Sequence, residues 1–147
     1  MLVPMKIDYG VRILVHLALL PVNSIAKGAQ ISQERHIPEK FLFQISNELA
    51  DKKFIKSIRG PKGGYLLAKK PEDISIADVM DGLDKTMSPV ACIDSPDLCQ
   101  ISGSCSQQDM WSDVEETLVA KLESISVKDL ADKEKSKFID VEEITTN

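Results

Sequence analysis

Histidine is nearly missing from this chain, with two in 147 residues, and cysteine (three), tyrosine (two) and tryptophan (one) are scarce as well. There is no serine–histidine–acid grouping, no pair of carboxylates with a pocket signature and no nucleotide fingerprint, so an enzyme is not expected. A long apolar run is also lacking. The longest, Ile13 to Leu20, is interrupted by His16 and is far too short to cross a bilayer. Nothing resembles a signal peptide, which leaves a cytoplasmic protein with no membrane partner as the expectation. An odd number of cysteines argues against a disulfide scaffold, and cytoplasmic thiols stay reduced. Hydrophobic content of 43% and charged content of 28% fit one soluble globular domain, or one domain with an appendage.

Acidic residues are absent from one long stretch. Residues 52–70 contain Lys52, Lys53, Lys56, Arg59, Lys62, Lys69 and Lys70 and no acid, so a net charge of -5 divides into +7 there and -12 elsewhere. A basic strip on an acidic body is the electrostatic footprint that DNA backbones select, although a charge run can also do no more than solvate a face.

Apolar positions Ile7, Val11, Leu14 and Ala18 recur at helical spacing and predict a first helix from about Ile7 to Leu20. Pro21 to Ser24 ends it, and a second, shorter helix capped near Ser24 should reach about Arg35, with Ala26, Ala29 and Ile31 facing inward. After a turn at His36 and Ile37, Pro38 is suited to the first position of a third helix. There Leu42, Ile45 and Leu49 form the inward stripe and leave Glu39, Lys40, Phe43, Gln44 and Asn47 outward. Two short helices joined by a brief turn are the pattern of a helix-turn-helix, although ordinary helix pairs share it. Phe54–Ile58 and Tyr65–Leu67 read as two strands around the glycine-rich turn Arg59-Gly60-Pro61-Lys62-Gly63-Gly64, a hairpin placed where a winged helix has its wing. Lys56, Arg59 and Lys62 would then meet DNA backbone or minor groove. A phosphate loop is rejected, because the Gly-Lys-Ser/Thr ending is absent.

Ser75-Ile76-Ala77-Asp78 reads as a capping box opening a helix to about Leu83, with Asp78 in place of the usual Glu. Further on, Trp111, Val114, Leu118, Leu122 and Ile125 repeat by three and four along a helix of roughly 18 residues. A helix this long at the end of a small domain suggests a homodimer joined through its apolar stripe, with folding back on its own domain as the alternative. A last short helix is expected around Leu130. From Lys133 the tail reads as mobile, unless Phe138 to Ile144 docks as a strand. The fold class is therefore mainly α with a small two-stranded wing, a winged helix-turn-helix plus a long dimerisation helix. The domain reading is 1–85 for DNA binding, 86–106 for a cysteine loop, 107–132 for dimerisation and 133–147 for the tail.

All three cysteines fall in one polar loop, Cys92, Cys99 and Cys105, spaced by six and then five residues. Zinc sites favour shorter paired spacings and four ligands. Three thiolates with a fourth ligand of another kind suit an iron–sulfur cluster. A cluster-free thiol switch, a cluster-free regulator governed by a bound metabolic enzyme, and three plain buried residues remain the alternatives. An electron-transfer protein on a winged-helix scaffold is a further one, set apart by having no need of a basic wing.

Asp8-Tyr9-Gly10-Val11-Arg12, Phe41-Leu42-Phe43-Gln44, the wing Arg59 to Leu67, Ile74 to Val79 and the cysteine loop together resemble the iron–sulfur winged-helix regulators of the IscR, NsrR and RirA type, over about residues 5–132. The resemblance implies a homodimeric transcription regulator, a repressor, acting on a roughly palindromic operator and reporting iron, nitric oxide or redox status. It makes Cys92, Cys99 and Cys105 the ligands. Gln108 stands where IscR-type members carry a histidine, and Phe43 where they often carry an acid. Asp8 matches the position from which an NsrR-type member ligates across the dimer. The resemblance thus favours a 4Fe-4S over a 2Fe-2S cluster, with Asp8 of the partner subunit as fourth ligand. From the residues alone, Asp8 could as well cap its helix or pair with Arg12.

Overall fold

The computed structural model of the protein describes residues 3–84 and 88–145, with side chains as far as Phe138. Helix α1 (Met5–Leu19) is its axis. Ile7, Ile13, Leu14, Val15 and Leu17 are buried along it, so apolar side chains cover most of its circumference, as a helix packed on several sides requires. Truncating Leu14 to alanine should cost about 2–5 kcal/mol. Gly10 lets a neighbouring helix come close, since a Cβ there would strike Leu83 Cδ1.

Around α1 lie α2 (Gly28–Arg35), α3 (Glu39–Asp51), the antiparallel strands β1 (Ile55–Ile58) and β2 (Gly64–Leu67), and α4 (Ile76–Leu83). The predicted stripe Leu42, Ile45 and Leu49 is buried, together with Ile31, Ile37, Ile55, Ile74 and Val79. Three expectations need correction. Ala26 is not helical. Its N–H and C=O are taken by Tyr65 of the hairpin, at 2.9 and 2.8 Å, so α2 cannot begin until Gly28, and Ala29 is exposed rather than inward. Pro38 is the residue before the first turn of α3, with ψ 134°, and not inside it. The third correction is the C-terminal segment. It is one helix, α7 (Val127–Thr145, 19 residues), where a short helix, a mobile tail or a docked strand was expected. It packs along α1 through buried Val127 and Ala131.

Between these parts run a one-turn helix α5 (Ala91–Asp94), a 3-10 turn at Pro96–Leu98 and the long helix α6 (Ser106–Glu123, 18 residues). α6 has the predicted length but buries no residue fully. Trp111, Leu118 and Leu122 are half-buried, and Met110 and Val114 are exposed. Its main contacts are with α4 and α5.

The starts of α4 and α7 are built alike and joined side by side. Ser75 Oγ accepts from the Asp78 N–H and the Asp78 carboxylate accepts from the Ser75 N–H, both at 3.0 Å, which is the expected capping box. Ser126 and Asp129 repeat the arrangement at α7, at 3.1 and 2.8 Å. The Ser126 N–H and, at 2.7 Å, its hydroxyl both donate to the Asp129 carboxylate and hold it below its ordinary pKa. The two caps face each other across an isolated bridge, with Ile76 N–H donating to Ile125 and Val127 N–H donating to Ile74, each at 2.9 Å. Eight orphan helix-end donors are thus largely answered at one point.

A second joint has no signal in local sequence. Arg35, at the end of α2, donates from Nε to His16 Nδ1 of α1 (3.2 Å) and pairs with Glu134 of α7 (2.5 Å). Arg12 in turn donates to the Arg35 carbonyl at 3.2 Å. His16 is buried, and burial first, then the Arg35 charge, pushes its pKa down against the pull of Glu34 and Glu134. A neutral imidazole that accepts at Nδ1 carries its proton on Nε2, and that atom has no partner among the described residues.

Candidate nucleic-acid interface and metal centre

Glu39, Lys40, Phe43, Gln44 and Asn47 occupy one face of α3, since steps of one, three, one and three residues return to the same side of a 3.6-residue helix. All five are exposed, Phe43 by 63%. The opposite face holds α3 on α1 through Leu42, Ile45 and Leu49. Burial of one stripe is thus what commits the other to solvent. Two basic residues carry the chain from α3 into the hairpin, with Lys53 at φ 62°. The Phe54 N–H donates to Leu49 O (2.9 Å), and the Phe54 side chain is buried, so the turn is anchored.

β1 and β2 pair from Ile55 with Leu67 to Ile58 with Gly64. Their tip is closed by the Gly63 N–H on Gly60 O at 2.9 Å, with Gly60 at φ 106°, a conformation that favours glycine. Lys56, Arg59 and Lys62 are exposed on this wing. The remaining basic residues of the strip belong elsewhere. Lys52 and Lys53 lie at the hairpin base, Lys69 lies over the Phe54 ring at 5.2 Å, and Lys70 precedes a 3-10 turn. Charge counting alone had merged these two ends of the hairpin.

The cysteine loop divides its thiols among three short elements. Cys92 lies in α5, Cys99 follows the 3-10 turn and Cys105 caps the start of α6. All three are half-buried and free. Among the described residues, no group of three or more His, Cys, Asp or Glu side chains is gathered to hold a metal ion. The donor set fits a soft centre in kind, as three free thiols on one loop, while its geometry is not closed within a single chain. Ser88 ties the loop entrance to α6: its Oγ lies 2.6 Å from Asp94 and 2.7 Å from Glu115, and its single proton serves one of the two carboxylates at a time. Gln108 turns back to accept the Gly103 N–H at 2.9 Å, where Gly103 has φ 83°. Its amide therefore braces the end of the loop.

Asp8 is engaged within its own helix. Its two oxygens accept from Arg12 Nε (3.2 Å) and Nη2 (2.7 Å), the pairing that the i, i+4 spacing offers. Arg12 also lies over the Tyr9 ring at 5.5 Å, and Tyr9 meets Phe41 at 6.4 Å. Of the two histidines, His16 is buried and His36 sits in the turn after α2 at φ 52°. Neither is placed with the cysteines. The pairing of Asp8 with Arg12 was expected, while Arg35 and the bond from Arg12 to its carbonyl escaped sequence reading. The only advance signal was the Asp8–Arg12 spacing, because the Arg35 partners are 19 and 99 residues away.

A helix pair whose second member exposes a polar face, followed by a basic two-stranded hairpin, is a winged helix-turn-helix. The chain belongs to the Rrf2 family, described as iron-dependent transcriptional regulators, which matches residues 3–133. It is 29% identical over 124 residues to the regulator NsrR of Shouchella clausii, covering 84% of this chain and 83% of that one. To the regulator IscR of Photorhabdus laumondii it is 30% identical over 122 residues, with 83% and 74% covered. Among solved structures it resembles CymR, the global cysteine regulator of B. subtilis, with a TM-score of 0.75, 26% identity and 90% and 98% coverage. The chain is thus a transcriptional regulator of the Rrf2 family. Among the described residues, no helix is long and apolar enough to cross a membrane.

Proposed function

We propose that two copies of this chain pair through α6 and bind double-stranded DNA, each with α3 in a major groove and the wing beside it, under the control of an iron–sulfur cluster. The observation that carries the DNA reading is the exposed face Glu39, Lys40, Phe43, Gln44 and Asn47 next to an acid-free wing bearing Lys56, Arg59 and Lys62. In this reading side chains on α3 meet base edges, with Phe43 suited to thymine methyl groups and Gln44 and Asn47 to adenine. The wing lysines neutralise phosphates. Two-fold pairing makes the operator roughly palindromic. The half-buried stripe Trp111, Leu118 and Leu122 on an 18-residue helix supports pairing, since apolar area left in water on one helix face is best covered by its own copy.

Cys92, Cys99 and Cys105 would hold the cluster, with the Asp8 carboxylate of the second copy as fourth ligand and a 4Fe-4S form favoured. Such a cluster supplies a centre whose charge and integrity change with iron, nitric oxide or oxidants. What this chain contributes is a loop whose thiols must be drawn together, so cluster binding and loop order rise together. Asp8 must leave Arg12 to reach the cluster, and Arg12 also holds the α2 end through the Arg35 carbonyl. Ligation at Asp8 therefore bears directly on the helix-turn-helix. A cluster-free thiol switch is the second reading, favoured by the absence of a gathered ligand group among the described residues.

Anaerobic purification tests both. Iron and sulfide in stoichiometric amount, a visible absorption band and an operator affinity that changes on cluster removal are expected. A colourless, iron-free protein that binds its own promoter with thiol-dependent affinity would select the switch.

A further inference from the structure

A cavity of about 640 Å³ opens between the C-terminal end of α1, the base of the hairpin and α7, well away from the α3 face and the cysteine loop. Its apolar lining comes from Leu17, Leu20, Leu67 and Ala131, with Pro21 and Val22 at the lip. Val22 is 91% exposed, an unusual cost for a β-branched apolar residue with nothing above it. The rim carries Lys69, Lys70, Lys128 and Lys135 against Glu72 and Asp132. These charges do not cancel. Lys128 is answered by Asp132 at 2.7 Å, and Glu72 lies close enough to act on it. Lys69 is spent on the Phe54 ring. Lys70 and Lys135 are exposed and have no ion-pair partner among the described residues, so two uncompensated cations stand at the mouth of an apolar hollow.

We infer that this cavity binds a small organic anion, an alkyl chain of medium length ending in one carboxylate. Its chain lies along Leu17, Leu20 and Ala131, and its head meets Lys70 and Lys135. The volume lies in the range of small-molecule sites, which are mostly apolar with few polar groups. Charge complementarity at the mouth selects an anion over a cation, and the apolar interior selects against an inorganic ion or a sugar phosphate. The walls belong to α1, β2 and α7, so an occupant would brace the wing base against the C-terminal helix. The inference is independent of the DNA and cluster readings.

Isothermal titration of the full chain with sodium octanoate, and separately with octylammonium chloride, tests it. One saturable octanoate site per chain is expected. Reversing two exposed charges in the double variant Lys70→Glu/Lys135→Glu should weaken octanoate about tenfold or more and turn the preference toward octylammonium. Val22→Asp, at a position that buries nothing, should weaken octanoate without lowering the melting temperature of the free protein. The inference is overturned by the absence of saturable octanoate binding, by equal affinity for the ammonium probe, or by octanoate binding that both variants leave unchanged.

Discussion

Removing the wing's phosphate contacts should weaken DNA binding and flatten its dependence on salt together. In a dimer the variant Lys56→Ala/Lys62→Ala deletes four exposed cations from the two wings. Each neutralised phosphate contributes about -0.9 to the slope of log affinity against log salt, so four contacts account for a slope change of about 3 to 4. Between 50 and 200 mM salt, the unaltered protein should then lose about a hundredfold more affinity than the variant does. Fluorescence anisotropy on a labelled duplex of the native promoter, repeated across that range, measures both slopes. The hairpin supplies its own control. Lys69→Ala/Lys70→Ala removes equal charge from the base, where Lys69 is stacked on Phe54 and Lys70 faces the α7 side. It should leave the slope nearly unchanged. Equal slope changes for the two pairs, or none for either, would refute the placement of DNA at the wing tip and return the strip to general electrostatics.

Five further variants each test a single site. Arg59→Ala should cost about 1–3 kcal/mol of specific operator binding while non-specific DNA binding changes far less, a contrast that competition assays read directly. Leu118→Asp, on the half-buried face of α6, should yield monomers in light scattering, because an unpaired carboxylate is strongly disfavoured in an apolar interface. Asp8→Ala should retain the dimer but alter the cluster spectrum and shorten cluster lifetime, and Cys99→Ala should prevent stable assembly; identical spectra and lifetimes for Asp8→Ala and the unaltered protein would leave Asp8 as the partner of Arg12 alone. His16 is held neutral below its ordinary pKa of 6.5, so the unfolded chain binds its proton first as pH falls. Stability should decline on acidification below about 6.5, and in His16→Gln urea melts between pH 5 and 8 should show a smaller decline.

Much of the fold was legible because its cues are local. The Leu42–Ile45–Leu49 stripe, the glycine-rich wing turn and the Ser75–Asp78 cap each lie within a dozen residues, and each has the expected structure. Where the reading failed, a distant partner had decided the outcome. Ala26 is a good helix former, yet Tyr65 takes both its backbone groups, 39 residues away, and the helix begins later. The mixed charge of the segment after Lys133 suggested a tail. Its lysines and glutamates are strong helix formers, and Glu134 finds Arg35 across the fold. The candidate site divides in the same way. Exposure on α3 follows from the burial of its opposite face, so those five residues could be chosen from periodicity. The cysteine loop has no periodicity to read, and its thiols are set by short turns.

The paired caps at Ser75 and Ser126 give α6 a mechanical character that its weak packing conceals. Just past its C-terminal end the chain is fastened by two backbone hydrogen bonds to Ile74 and Ile76, the residues on either side of the α4 cap. At its N-terminal end it begins with Cys105. The 18 residues between them span roughly 27 Å at 1.5 Å per residue. α6 is therefore a strut that runs from the joint of the two caps to the cysteine loop. α4 in turn lies against α1, where Leu83 occupies the space beside Gly10, and α1 carries α3, so the cysteine loop is joined to the helix-turn-helix through one unbroken series of packed elements.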